Sequence, residues 1–119
     1  MKASELEAAL TEHDALVVRC VRGEIAFDEF LRTYDCFYQR WALDGHEGDV
    51  ALLAQYEHRI AVHRRIWEEV EARQTTADHA RQHGHLGFIG PEEAMRRLAA
   101  IARDGGLPAS SDQGPPRMS

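Results

Sequence analysis

The side chains best equipped for chemistry in this chain are imidazoles and carboxylates, and they fall into three groups. The densest is Asp78-His79-Ala80-Arg81-Gln82-His83-Gly84-His85. His79 and His83 are spaced i,i+4, which on a helix puts both rings on one face, and His85 could reach back to complete a three-nitrogen site for zinc or nickel. The group is not an HExxH hydrolase motif, because Ala80 stands where the glutamate would be, and Arg81 repels a cation. Solvated histidines on a surface turn account for the same residues, so no resident metal or cofactor is expected. The second group is the loop Asp44-Gly45-His46-Glu47-Gly48-Asp49, with three carboxylates and an imidazole in six residues. It lacks the twelfth-position acid of an EF-hand loop and reads better as an acidic, partner-facing segment. The third group comprises Asp28, Glu29 and Asp35, which lie opposite a stripe of aromatic residues.

A catalytic centre needs a nucleophile with its base, paired carboxylates, a phosphate loop or a credible metal set. No GxSxG, no GxxxxGK[ST] and no glycine-rich turn after a strand is present. Cys20 and Cys36 have neither CxxC spacing nor a framework pattern, and they read as free thiols of a reducing compartment. Binding is therefore the expected class of function, and the chain is not expected to be an enzyme.

Charge narrows the choice of partner. The net charge is −6, and all of it belongs to residues 1–50, where eleven Asp/Glu face five Lys/Arg; residues 51–119 carry nine of each. Phosphate binding is driven by clustered Lys and Arg, so nucleic acid is not an expected direct ligand. A basic protein is, although mild acidity also serves solubility alone. The polar N-terminus has no apolar leader segment, and no run approaches the ~18 apolar residues of a membrane span. The expected location is cytoplasmic, with no membrane contact.

The elements that must position these groups are helical. A length of 119 residues allows one core. Phe27, Phe30, Leu31, Tyr34, Phe37, Tyr38 and Trp41 fall within a band about 120° wide at a helical step, which predicts one continuous amphipathic helix ending near Leu43. Before it, Ser4 and Glu7 have capping-box spacing ahead of a helix with Leu6, Ala9, Leu10, Leu16, Val17, Cys20 and Val21 on one side, closed by Gly23. After it, Leu53, Tyr56, Ile60, His63, Trp67 and Val70 alternate by three and four along a long helix of about residues 50–73. That seam suits an antiparallel pair inside the domain, or else a dimerising adaptor, leaving the chain a monomer or a homodimer. On its outer side, Arg64 with Glu68 and Arg65 with Glu69 have ion-pair spacing. His13 and His63 point from different helices toward one core. Thr75 and Thr76 can cap a short helix, 77–83, and Pro91 opens a last one ended by Gly105 and Gly106. The expectation is an all-α, compact bundle of four to five helices in a single domain, residues 1–106, followed by a disordered tail, residues 107–119.

Within residues 16–38, LVVRCVRGEIAFDEFLRTYDCFY, the chain resembles the opening helical pair of small bacterial immunity proteins of the colicin D immunity type. The shared pattern is an apolar helix, a G-x-I-[ST] turn, then a helix starting near x-x-E-F and continuing to an aromatic residue. Gly23, Ile25, Ala26, Glu29, Phe30 and Tyr34 occupy those positions, and Ala26 departs from the capping Ser or Thr. The resemblance implies a helical inhibitor that binds a co-encoded, nuclease-like toxin and covers its basic surface with acidic residues. The residues this assigns to the partner are Asp28, Glu29, Asp35, Asp44, Glu47 and Asp49. The competing reading is a helical metal-binding or sensor protein built on His79, His83 and His85.

Overall fold

The first helix, α1 (Ala3–Val21), buries Leu6, Ala9, Leu10, Val17 and Cys20 along one face. It begins one residue before the expected cap. Lys2 is the N-cap, and its backbone N–H donates to the Glu5 carboxylate at 2.8 Å, so Ser4 and Glu7 lie inside the helix and form no box. At the other end Gly23 closes the helix as expected. It sits at φ +80, where the Glu24 N–H reaches back to the Arg19 carbonyl at 2.8 Å.

The computed structural model describes residues 2–45 and 50–107, and these are all-α, with a single isolated bridge between Gln74 and Ile89. The aromatic stretch forms two helices, α2 (Phe27–Tyr34) and α3 (Phe37–Arg40), in place of the one expected. Asp35 and Cys36 separate them, both in the left-handed region at φ 50 and φ 52. Apolar periodicity could not reveal this break, because the residues responsible are polar and lie between two buried turns. The amide that Cys36 withdraws from the helix is recovered by the Glu71 carboxylate at 3.0 Å, a partner 35 residues away. α2 also starts without a side-chain cap at Ala26, and Asp28 and Glu29 in its first turn supply favourable charge for the helix dipole instead.

The long helix is likewise interrupted. It runs as α4 (Val50–Gln55) and α5 (Glu57–Ile66), then continues through one π-helical turn, Trp67–Glu71, in which the Ala72 N–H reaches the Trp67 carbonyl at 2.9 Å. Leu53, Ile60, His63 and Val70 of the seam are buried within the chain, and Tyr56 and Trp67 are half-buried against the same core. Of the two ion pairs expected on its outer side, Arg65 with Glu69 forms at 2.9 Å. Arg64 turns instead to Glu57 and to the Tyr38 hydroxyl, which ties α5 to α3. A short α6 (Ala77–His83) is capped by the Thr76 hydroxyl, which accepts the His79 N–H at 3.2 Å, and it runs into a 3-10 turn at Gly84–Leu86.

The last helix, α7 (Pro91–Asp104), opens on Pro91 as expected and buries Ala94, Leu98, Ile101 and Ala102. It packs on α1, on α5 and on the π turn, while α2, packed on α1, and α3, packed on α5, bring the aromatic residues to the core. At its end Gly105 lets the chain pass close to α5, since a Cβ there would lie 2.5 Å from Val62 Cγ2. The expected tail lies outside the described residues apart from Leu107, which packs on the core. No helix among the described residues is long and apolar enough to cross a membrane.

Candidate functional site

α2 and α3 carry two different surfaces. Their inner one supplies Phe30, Tyr34, Phe37 and Tyr38 to the core. Their outer one presents Asp28 and Glu29 in the first turn of α2, Asp35 at its C-cap and Asp44 in the turn after α3, all exposed. Asp28 and Asp35 are seven residues apart, about 10 Å along a helix axis, which is about one Debye length at 0.1 M salt. Asp28 pairs with Arg32 at 3.5 Å and Asp35 with Arg40 at 3.1 Å. These side chains are more than half exposed, so the pairs hold weakly and can be exchanged for an incoming cation. The remaining two assigned residues, Glu47 and Asp49, lie outside the described residues.

Behind this face lies a polar chain that joins three helices. Arg59 donates to Asp14 at 3.0 Å, Asp14 accepts from His63 Nε2 at 2.7 Å, and His63 Nδ1 is bonded to the Tyr34 hydroxyl. With Asp14 ionised, Nε2 carries the proton it donates, and in the neutral ring Nδ1 accepts from Tyr34. His63 is 0% exposed and Tyr34 1%. A carboxylate–imidazole–hydroxyl relay is also how nucleophiles are activated. Here the hydroxyl is buried and turned onto the imidazole, and the chain acts to satisfy polar groups that the core would otherwise penalise.

The electrostatics follow from that burial. Burial alone would raise Asp14, but the bond and charge from His63 and the Arg59 guanidinium outweigh it and hold the carboxyl below its ordinary value. Burial drives Tyr34 well above the ordinary phenol value, aided by the negative charges of Glu71 and Asp14. His13, half-buried, is lowered by desolvation, which the bond between its Nδ1 and the Ala9 carbonyl at 2.7 Å only partly offsets. His13 and His63 do share one core region: His13 stacks on Phe37 at 3.7 Å between ring centres, and His63 meets the same Phe37 edge-on at 4.9 Å.

Glu71, on the π turn, is the most perturbed carboxylate. Burial raises it to about 7 against the pull of its Cys36 hydrogen bonds, and its Oε1 is buried without a partner. Next to this region, His13, Thr33, Tyr34, Asp35, Phe37, Arg40 and Trp41 line an open cleft of about 240 Å³ at the break between α2 and α3. Reading the sequence identified His13, His63 and Tyr34 as core residues but missed Asp14, Arg59 and Glu71. Asp14 adjoins His13 and carried no periodic signal of its own, and Glu71 bonds a backbone amide that only the break exposes.

The histidine group lies on α6 and the 3-10 turn that follows it. The His79 and His83 rings lie 4.5 Å apart and those of His83 and His85 6.4 Å apart, and among the described residues no three His, Cys, Asp or Glu side chains converge as a ready metal cage. Compared with protein-family models, curated proteins and solved structures, the chain matches none.

Proposed function

We propose that this chain is a non-enzymatic binding protein of the immunity type, which inhibits a basic, nuclease-like toxin domain by covering it with the carboxylates of α2, of its C-cap and of the loop after α3. The observation that carries this reading is the division of labour on α2: its aromatic residues are spent in the core, while Asp28, Glu29, Asp35 and Asp44 are exposed and take no part in it. Residues 24–45 hold five carboxylates against two arginines. A surface of that sign raises the encounter rate of a cationic partner and selects against nucleic acid. The local resemblance of residues 16–38 to immunity proteins points the same way.

The test is protection. The gene immediately upstream is examined for a C-terminal toxin-like domain, and that domain is expressed with and without this protein. Restored growth with the wild-type protein, lost on joint charge reversal by D28K and D35K, is the expected result. Growth arrest that the wild-type protein does not relieve would refute the proposal.

A further inference from the structure

We propose that His79 and His83, one turn apart on α6, chelate a single divalent transition-metal ion such as Zn²⁺ or Cu²⁺, with His85 swinging in as a third ligand. The site is independent of the partner-binding face and contains none of its carboxylates.

The geometry of the pair is close to what one ion requires. With metal–nitrogen bonds of about 2.0–2.1 Å, each imidazole centre lies roughly 3.2 Å from the ion, so two rings at a tetrahedral angle sit about 5 Å apart. The His79 and His83 centres are 4.5 Å apart, with the planes tilted by 39°. A small rotation of the exposed His79 and half-buried His83 side chains closes the difference. His85 is 6.4 Å from His83, about twice the ion-to-ring distance and therefore at the limit of a shared ion. It stands exposed on the 3-10 turn between Gly84 and Leu86, where its ring can turn inward.

Two further features favour a cation at this place. Arg81, the positive charge on the same short helix, is committed to an ion pair with Asp78, so its repulsion is compensated. His79 is already oriented: its backbone N–H is held by the Thr76 cap, and the Phe88 ring meets its imidazole edge-on at 5.0 Å. Because α6 and the 3-10 turn contribute no buried residue, ligand substitutions there leave the core untouched. The protein thus offers a two-histidine clamp with room for water, completed by an exposed third ring.

Untagged protein, stripped with chelator and dialysed, is titrated with ZnCl₂ and with CuSO₄ by calorimetry at pH 7.5. One ion per chain is expected, with affinity reduced at least about tenfold by H79A and by H83A, and by a smaller factor in H85A. The exposed His58 of α5 provides the control, and H58A is expected to bind as the wild type does. Absence of binding, or binding that survives both H79A and H83A, would overturn the site; unchanged affinity in H85A would overturn the third ligand. Circular dichroism of each variant confirms that the fold is retained.

Discussion

Replacing Glu71 by glutamine should make the domain more stable above neutral pH. In the folded state the carboxyl holds its proton up to about 7, against an ordinary value of 4.5, because it is largely buried and one of its oxygens has no partner. A folded value raised above the unfolded one gives stability that is fully present below pH 4.5 and is lost as pH rises through 7. At ~1.4 kcal/mol per pH unit, that gap corresponds to a loss of about 3 kcal/mol by pH 8.5. Glutamine cannot ionise, and its amide oxygen still accepts the Cys36 N–H, so the variant should match the wild type near pH 5 and exceed it by about 2–3 kcal/mol at pH 8.5. The assay is urea denaturation followed by far-ultraviolet circular dichroism at several pH values, taking the difference between the two proteins at each. That difference removes other titrations, including His13. Burial lowers the pKa of His13, so it contributes the opposite slope, with stability present above pH 6.5 and lost as pH falls. Identical pH dependence in wild type and E71Q between pH 5 and 8.5 would refute the assignment of Glu71 as a buried, proton-retaining acid.

Other substitutions test the core directly. Tyr34→Phe keeps the ring and removes the hydroxyl bonded to His63 Nδ1, so it should cost about 1–2 kcal/mol in the same denaturation assay with helicity unchanged; no loss would mean that the bond contributes nothing. Ala42 sits in the left-handed region at φ 54, closing α3 where the Leu43 N–H reaches the Tyr38 carbonyl, and Ala42→Gly should relieve strain and gain about 0.5–1 kcal/mol in the urea midpoint.

What sequence reading could reach, and what it could not, divides along physical lines. Helix existence and inward faces were legible wherever burial repeats by three and four: Leu6, Leu10 and Val17 in α1, Phe30 and Tyr34 in α2, Leu98 and Ile101 in α7 are all buried as their spacing requires. Ends set by a local backbone rule were legible too, as at Gly23, Thr76 and Pro91. Interruptions were not. The left-handed pair Asp35–Cys36 and the π turn at Trp67–Glu71 change direction or phase without disturbing the apolar pattern, and the Cys36 amide is met by Glu71 from 35 residues away. The partners of His63 show the same limit. Its place in the apolar seam was visible, but nothing in the spacing could say that Asp14 and Tyr34 would meet its two nitrogens.

The candidate interface was legible as charge and not as arrangement. Counting placed the acidity in the first half of the chain. It could not show that Arg32 and Arg40 would fold back on Asp28 and Asp35, leaving a face whose strength depends on how readily those exposed pairs exchange. Aromatic substitutions are poor probes of this face, since Phe30, Tyr34 and Phe37 are almost wholly buried and their loss would unfold the domain. The carboxylates can be changed with the core intact.

The central claim is that the exposed carboxylates Asp28, Glu29, Asp35 and Asp44 bind a basic toxin domain. Its most direct test is the affinity of this protein for the purified upstream-encoded toxin domain, measured at 50 and 300 mM salt for the wild type and for the double variant D28K/D35K. The account requires wild-type binding that weakens with salt and falls by at least about tenfold on charge reversal, chiefly through a slower association rate. Binding that is insensitive both to salt and to reversal of Asp28 and Asp35 would contradict it.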